Sequence, residues 1–440
     1  MALRLNHSTI SKIRNPAFRQ YAENGLAVYD DFIRQVEQFG LPFAPEREEA
    51  LQAARERLPG YGVKSCNEGA ALVWGERCGA CEACRLGIDS YTGIISLMCH
   101  RNCFFCFNPN QENYEGYSHT KKDWEKELRQ VHRRQPDLRY VALTGGEPLL
   151  HKEEAAEYFR TAKSLWPEAC MRLYTSGDLL DAQTAAALRD AGVEEIRFSL
   201  KLEDTPEGRE KVYRAMELAK QLFPRVMVEM PVLPNAEEAM REILDRLEEM
   251  GIFGINLLEL CFPYHNAEAF RARDYRLRYP PYRTLYNFWY AGGLPVDGSE
   301  LLALKLLEYA AEKGFRLNVH YCSLENKHFG QVYMQNLGAA AKDRSFVMSE
   351  KDFYLKTVKA FGKDISRAER IFRAHQRTDY RVDRDQGFIQ FSPDCARLLK
   401  KTDMQLGISY NIREIRDGES VIRELRLDLE EAAEFRPEEL

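Results

Sequence analysis

The chain has 440 residues, 45% of them hydrophobic and 30% charged, the composition of a globular protein with a sizeable core. Its formal net charge of −6 removes bulk charge as an argument for nucleic-acid binding. No uncharged run reaches the ~18 residues of a membrane span, and the opening MALRLNHSTISKIRN lacks the apolar core of a signal peptide, so a cytoplasmic protein without membrane contact is expected.

Residues up to Leu58 read as helices. Phe18, Tyr21, Leu26, Tyr29, Phe32, Val36 and Phe39 recur at helical intervals between Asn15 and Phe39, and a second helix is predicted from Pro45 to Leu58, stopping at Pro59-Gly60. The stretch from Cys66 to Cys84 is expected to be irregular. From Tyr91 strands and helices alternate. Strands are predicted at Thr92–Met98, Tyr140–Thr144, Met171–Thr175, Glu195–Leu200, Val226–Val232 and Ile255–Leu260, apolar on both faces. Helices are predicted at Trp124–Arg134, Glu153–Leu165, Ala182–Ala191, Glu207–Phe223 and Glu237–Met250, with Gly192 and Gly251 as natural stops. Repeats of this kind predict parallel strands joined by right-handed crossovers, closing partly or wholly into a barrel. A helix over Ser299–Lys313 and a strand over Phe315–Tyr321 extend the pattern.

After about Gly330 the periodicity breaks. Ile408–Leu429 reads as a hairpin turning at Asp417-Gly418. The expected division is therefore 1–88, helices and a cysteine-rich segment; 89–330, the barrel; and 331–440, an α+β appendage. The basic and aromatic run from Lys363 to Arg384 is interleaved with Asp364, Glu369, Asp379, Asp383 and Asp385, which favours a solvated, salt-bridged face over an RNA-binding one. The aromatic stretch Tyr275–Tyr290, including Phe288-Trp289-Tyr290, is a candidate cap for the barrel mouth or a domain-packing element.

Seven of the eleven cysteines lie between Cys66 and Cys106, which in a long chain argues for metal or iron–sulfur binding over disulfides. Cys99, Cys103 and Cys106 stand in SLMCHRNCFFCFNP. Three such thiolates bind three irons of a cubane cluster and leave the fourth iron open to a substrate or cofactor. A structural zinc knuckle would want a fourth ligand, and His100, adjacent to Cys99, is poorly placed to close a tetrahedron. About forty residues on, Gly145-Gly146-Glu147-Pro148 ends the next predicted strand.

This pairing of motifs resembles the radical S-adenosylmethionine (SAM) superfamily. The resemblance implies a partial (β/α)6 TIM-like barrel, a [4Fe–4S] cluster held by Cys99, Cys103 and Cys106, and reductive cleavage of SAM to a 5′-deoxyadenosyl radical that takes hydrogen from a substrate. It implies that Phe105 lies near adenine, that Gly145, Gly146, Glu147 and Pro148 form the loop receiving the SAM amino group, and that Ser176, Ser199 and Lys201 at later strand ends approach SAM. For Glu229 and Glu259 a structural ion pair is favoured over a SAM contact. Cys106-Phe107-Asn108-Pro109 and Pro263-Tyr264-His265 resemble segments of glycyl-radical-enzyme activases, which makes His265 a further cofactor contact.

Upstream, Cys78, Cys81 and Cys84 resemble ferredoxin ligation, with Cys66 as a candidate fourth ligand. A second [4Fe–4S] cluster is favoured there over zinc. Cys170, Cys261, Cys322 and Cys395 read as buried free cysteines, favoured over a stray metal ligand or a catalytic thiol. The expected protein is a radical SAM enzyme acting anaerobically on a peptide, protein or small molecule, served by an electron donor such as ferredoxin or flavodoxin. The alternatives are a glycyl-radical-enzyme activase and a non-catalytic iron–sulfur or zinc scaffold that docks a partner.

Overall fold

The computed structural model describes residues 2–282, 284, 293–340 and 342–440. The chain divides into a larger unit of Leu41–Pro281 with residues 293–330, and a smaller unit built chiefly of residues 2–40 and 331–440. Among the described residues no helix is long and apolar enough to cross a membrane.

The larger unit is a nine-stranded sheet. We number its strands β1 Lys64–Cys66, β2 Ala71–Trp74, β3 Ser90–Ile94, β4 Tyr140–Thr144, β5 Cys170–Thr175, β6 Val193–Ser199, β7 Arg225–Val232, β8 Gly254–Glu259 and β9 Asn318–Cys322. The order is β1-β2-β9-β8-β7-β6-β5-β4-β3. Every pairing from β3 to β9 is parallel, and β2 and β1 are added antiparallel beyond β9. This is the expected partial TIM-like barrel, with β9 as a further parallel strand.

Local chemistry explains the crossover helices. Asp181 caps Ala182–Asp190 by accepting from the Thr184 amide, and Thr205 caps Pro206–Lys220 by accepting from Gly208, with Pro206 opening the first turn. Gly251, at φ 61°, ends Glu237–Met250 in the left-handed region. The outer faces of the strands, through Leu173, Ile196, Phe198, Val228, Ile255 and Val319, join these helices in one buried core.

Two expectations need correction. The cysteine-rich segment is ordered: β1 and β2 form a hairpin at the sheet edge, and Gly79–Ala83 is a short helix. Nor are the strands apolar on both faces. Arg172, Glu195, Arg197, Glu229, Asn256 and His320 alternate with the core residues and turn inward; Glu195, Arg197, Glu229, Asn256 and His320 are linked by hydrogen bonds, and Arg172 lies over the Tyr174 ring.

In the smaller unit β10 Leu355–Phe361, β11 Tyr380–Asp383, β12 Phe388–Phe391, β13 Gln405–Arg416 and β14 Glu419–Glu431 form an antiparallel sheet, with the predicted hairpin as β13–β14. The helix Pro16–Glu37 belongs here and not with the cysteine-rich segment. Phe18 stacks on Phe361 with ring centroids 4.4 Å apart, Asn15 Nδ2 donates to the Phe361 carbonyl and to Asp364, and Leu3–Arg4 pairs with β14. The basic run is salt-bridged, with Arg367 on Asp403, Arg373 on Glu369 and Arg377 on Asp379. Of the aromatic stretch, Phe288-Trp289-Tyr290 lies outside the described residues.

Candidate functional site

Cys99, Cys103 and Cys106 occupy the loop that leaves the carboxyl end of β3, the rim where parallel barrels carry their chemistry. This loop is bound to the Gly-Gly-Glu-Pro turn at the end of β4. The Gly146 amide donates to the Ser96 carbonyl (3.2 Å), and the Glu147 amide to the Met98 carbonyl (2.8 Å). Asn108 Nδ2 donates to the Gly145 carbonyl (2.8 Å) from the far side of the cysteines. The glycines are dictated by proximity: a Cβ at Gly146 would stand 1.9 Å from the Met98 oxygen, and one at Gly145, φ +128°, 2.4 Å from the Ser96 oxygen.

The Glu147 side chain is buried and saturated. Its Oε1 accepts from the Leu149 amide (3.0 Å) and the Thr175 hydroxyl (2.6 Å), and its Oε2 accepts from the Ser176 amide (2.7 Å) with the Ser176 hydroxyl at 2.6 Å. Glu147 and Ser176 therefore position the turn against the end of β5. The residues between the cysteines anchor the loop elsewhere. His100 Nε2 lies 2.8 Å from Asp178 Oδ2, Arg101 bonds the same oxygen (3.3 Å), and Arg101 also pairs with Asp204. Burial pushes the Asp178 carboxyl up, but hydrogen bonds from Ser176 and His100 and the charge of Arg101 outweigh it and hold the group down at about 2. His100 is thus a tether rather than a metal ligand.

Burial raises the thiols of Cys99, Cys103 and Cys106, and the ammonium of Lys201, just past β6, opposes that shift at all three. Lys201 stands within electrostatic reach of all three cysteines, and Ser199 ends β6 two residues earlier. Phe105 packs edge-on against buried Phe104, centroids 5.0 Å apart. The segment after β8 folds over the loop: Asn110 Nδ2 donates to the Pro263 carbonyl and Asn266 Nδ2 to that of Phe104. Within it the His265 Nε2 atom is buried and has no hydrogen-bond partner. That orphaned nitrogen, the facing lysine and three thiols on one loop suit a bound cluster and its polar ligand. Glu229 and Glu259 are engaged in ion pairs, with Arg197 and Arg278 respectively.

The second cysteine group lies at the opposite end of the lumen. Cys78 precedes the helix Gly79–Ala83 and packs with Ala80 on Met227, beside Tyr140 and Phe253, at the amino ends of β4 and β8. Arg197 bridges this segment to the lumen: its NH2 donates to Cys78 (3.1 Å), NH1 and NH2 each reach Cys81 (3.6 Å), and its Nε bonds Glu195 (2.5 Å). A hydrogen bond with Cys81 and burial raise the Cys78 thiol; the same bond and Arg197 lower Cys81 despite its burial. Sequence reasoning missed Arg172, Arg197, Asn256 and His320; the available signal was polar residues at every second position of otherwise apolar strands. Among the described residues no group of three or more His, Cys, Asp or Glu is disposed to hold a metal ion with the side chains as they stand.

Residues 94–247 match the radical SAM superfamily model. The chain is 23% identical over 285 residues to the "putative glycyl-radical enzyme activating enzyme" of Methanocaldococcus jannaschii, an alignment covering 63% of this chain and 66% of that protein. Among solved structures, SuiB of Streptococcus suis bound to S-adenosylmethionine aligns with a TM-score of 0.40 at 16% identity, over 55% of this chain and 52% of SuiB. SuiB bound to the precursor peptide SuiA aligns with a TM-score of 0.38 at 14% identity, over 68% and 62%. The chain thus spans less than two thirds of the length of each of these proteins.

Proposed function

We propose that the radical SAM domain formed by residues 94–247 makes this chain a radical SAM enzyme acting on a peptide or protein, with a second metal centre in its cysteine-rich segment. The observation that carries this reading is the pair of backbone bonds locking the Cys99–Cys106 loop to the Gly-Gly-Glu-Pro turn, because it sets three thiols and a glycine cradle on one rim. A [4Fe–4S] cluster with SAM supplies one-electron cleavage of a sulfonium and a carbon radical able to take hydrogen.

Each residue's part follows from its place. Cys99, Cys103 and Cys106 bind the irons, and Lys201 offsets the charge of three thiolates in a half-buried loop. Glu147, through Thr175 and Ser176, holds the turn rigid, so that carbonyls at Gly145–Glu147 are presented to an ammonium without reorganisation. His265 offers a ring nitrogen to the bound cofactor. His100 and Arg101, fixed on Asp178 and Asp204, keep the loop from opening to water. Arg197 reaches both Cys78 and Cys81 and favours the thiolate at Cys81, and a cation placed there suits the negative charge of a second [4Fe–4S] cluster. The electron donor is a small reduced protein of the ferredoxin or flavodoxin type.

The test is anaerobic reconstitution, reduction with dithionite and addition of SAM. The wild-type chain should release 5′-deoxyadenosine and methionine, and the Cys99/Cys103/Cys106→Ala variant neither, with its fold retained by circular dichroism. Cleavage by that variant refutes the assignment. A second reading, activation of a glycyl-radical enzyme, is favoured by the archaeal relative. It requires an EPR doublet from a glycyl radical on a partner enzyme incubated with the reduced wild-type chain and SAM.

A further inference from the structure

We propose that Cys322, and not Cys66, is the fourth thiolate of the centre begun by Cys78, Cys81 and Cys84. This rests on the reading of that segment as metal-binding. Cys322 reads from sequence as a buried free cysteine; the sheet topology places it at the end of β9, next to β8.

The three clustered cysteines approach the sheet at the inner faces of β6, β8 and β9. Cys81 takes Arg197 from β6 and Asn256 Nδ2 from β8, and Asn256 Oδ1 in turn lies 3.0 Å from His320 Nδ1 on β9. Cys322 stands two residues beyond His320 on the same strand, so both side chains leave the same face, about 7 Å apart along it. The Cys322 thiol lies within electrostatic reach of both Cys81 and Cys84.

Cys66 is on the wrong strand. In the register, Cys66 opposes Ala71 and Ala71 opposes Cys322, so the three form one row across β1, β2 and β9. Each strand step is about 4.8 Å, which sets Cys66 about 10 Å further from β8 than Cys322.

Two observations mark the inner face of β9. His320, only 4% exposed, lies between Asn256 and the Cys81 sulfur, within hydrogen-bond reach of both. Asn326 Nδ2 donates to Cys322 Sγ at 3.2 Å, and Asn67 Nδ2 donates to Asn326 Oδ1, which fixes the amide with its N–H on the sulfur. An amide donor aimed at a thiolate ligand is the kind of contact that tunes an iron–sulfur cluster.

The experiment uses the full chain carrying Cys99/Cys103/Cys106→Ala, reconstituted anaerobically with iron and sulfide. About four irons per chain and the EPR signal of a reduced cluster are expected in this background. Adding Cys322→Ser should lower the iron to about three or fewer and abolish the signal; adding Cys66→Ser or Cys261→Ala should change neither. A serine oxygen accepts the Asn326 hydrogen bond, so the fold should persist, as checked by thermal melting. If Cys322→Ser melts early, Cys322→Asp retains an oxygen ligand and should keep the iron with an altered signal; a signal identical to the parent's overturns the proposal. Full iron in Cys322→Ser, or loss caused instead by Cys66→Ser or His320→Ala, also overturns it while leaving the second centre standing. If the background takes up about one zinc, the same variants are read by zinc. A background that binds no metal refutes the second centre itself and this assignment with it.

Discussion

Replacing Glu147 by glutamine tests whether the turn is held as described. The carboxylate receives hydrogen bonds from the amides of Leu149 and Ser176 and from the Thr175 hydroxyl, and the single Ser176 hydroxyl proton is shared between it and Asp178. Glutamine keeps an oxygen at one end and puts an NH2 at the other. A hydroxyl rotates to accept from that NH2, but a backbone N–H does not, so either Leu149 or Ser176 is left with donor facing donor in a site only 2% exposed. One charge-assisted bond is lost and one buried amide goes unsatisfied, together about 2–4 kcal/mol. Urea unfolding followed by circular dichroism should show that loss as a lower midpoint at unchanged slope. Because the turn also anchors the cysteine loop, iron bound by Cys99–Cys106 should fall in parallel. An unfolding free energy within about 0.5 kcal/mol of the wild type refutes this role of Glu147.

Three further outcomes are expected. Lys201→Gln removes a positive charge that all three loop thiols feel, so the thiols shift further up and their alkylation by iodoacetamide at pH 8 should slow by about two- to fivefold; unchanged rates at Cys99, Cys103 and Cys106 count against that placement. Asp178 sits at about 2 when folded against 3.8 for the free side chain, so its contribution to stability is present above about pH 4 and is lost as the pH falls towards 2. The stability difference between wild type and Asp178→Asn should therefore shrink across that window, and a constant difference contradicts it. Arg197→Met takes the shared cation from Glu195 and Glu229, leaving Arg225 on Glu195 and only the Asn256 amide on Glu229, and should cost about 3–5 kcal/mol; an unchanged melting temperature refutes a stabilising role for the buried pair.

The alternation of apolar strands and capped helices was readable because each signal is local. Asp181, Thr205 and Gly251 do at their positions what such residues do in isolated helices. The cysteine triplet and Gly-Gly-Glu-Pro were readable for the same reason. What escaped depends on partners far away in sequence. Lys64–Cys66 is a strand only because Ala71–Trp74 pairs with β9, some 250 residues on. The helix Pro16–Glu37 joins the C-terminal sheet because Phe18 finds Phe361. Glu147 looks like part of a cofactor loop in sequence, and only the end of β5 shows that its carboxylate is spent on Thr175 and Ser176. Arg197, in the middle of an apolar strand, reads as an isolated exception until Glu195, Glu229 and two thiols surround it.

β3 joins the floor of the lumen to its rim. Five residues, Ser90–Ile94, separate the segment ending at Cys84 from the loop beginning before Cys99, and an extended strand of that length spans about 17 Å. The strand is a ruler between the two cysteine groups. It is pinned residue for residue to β4, so its ends cannot slide. One residue gained or lost within it would turn alternate side chains to the opposite face and rotate the departing loop away from the glycine cradle. The interval Ser90–Ile94 is therefore under a strict length constraint, which the segments 85–89 and 95–98 do not share. In sequences of this architecture that interval should vary less than the loops on either side of it.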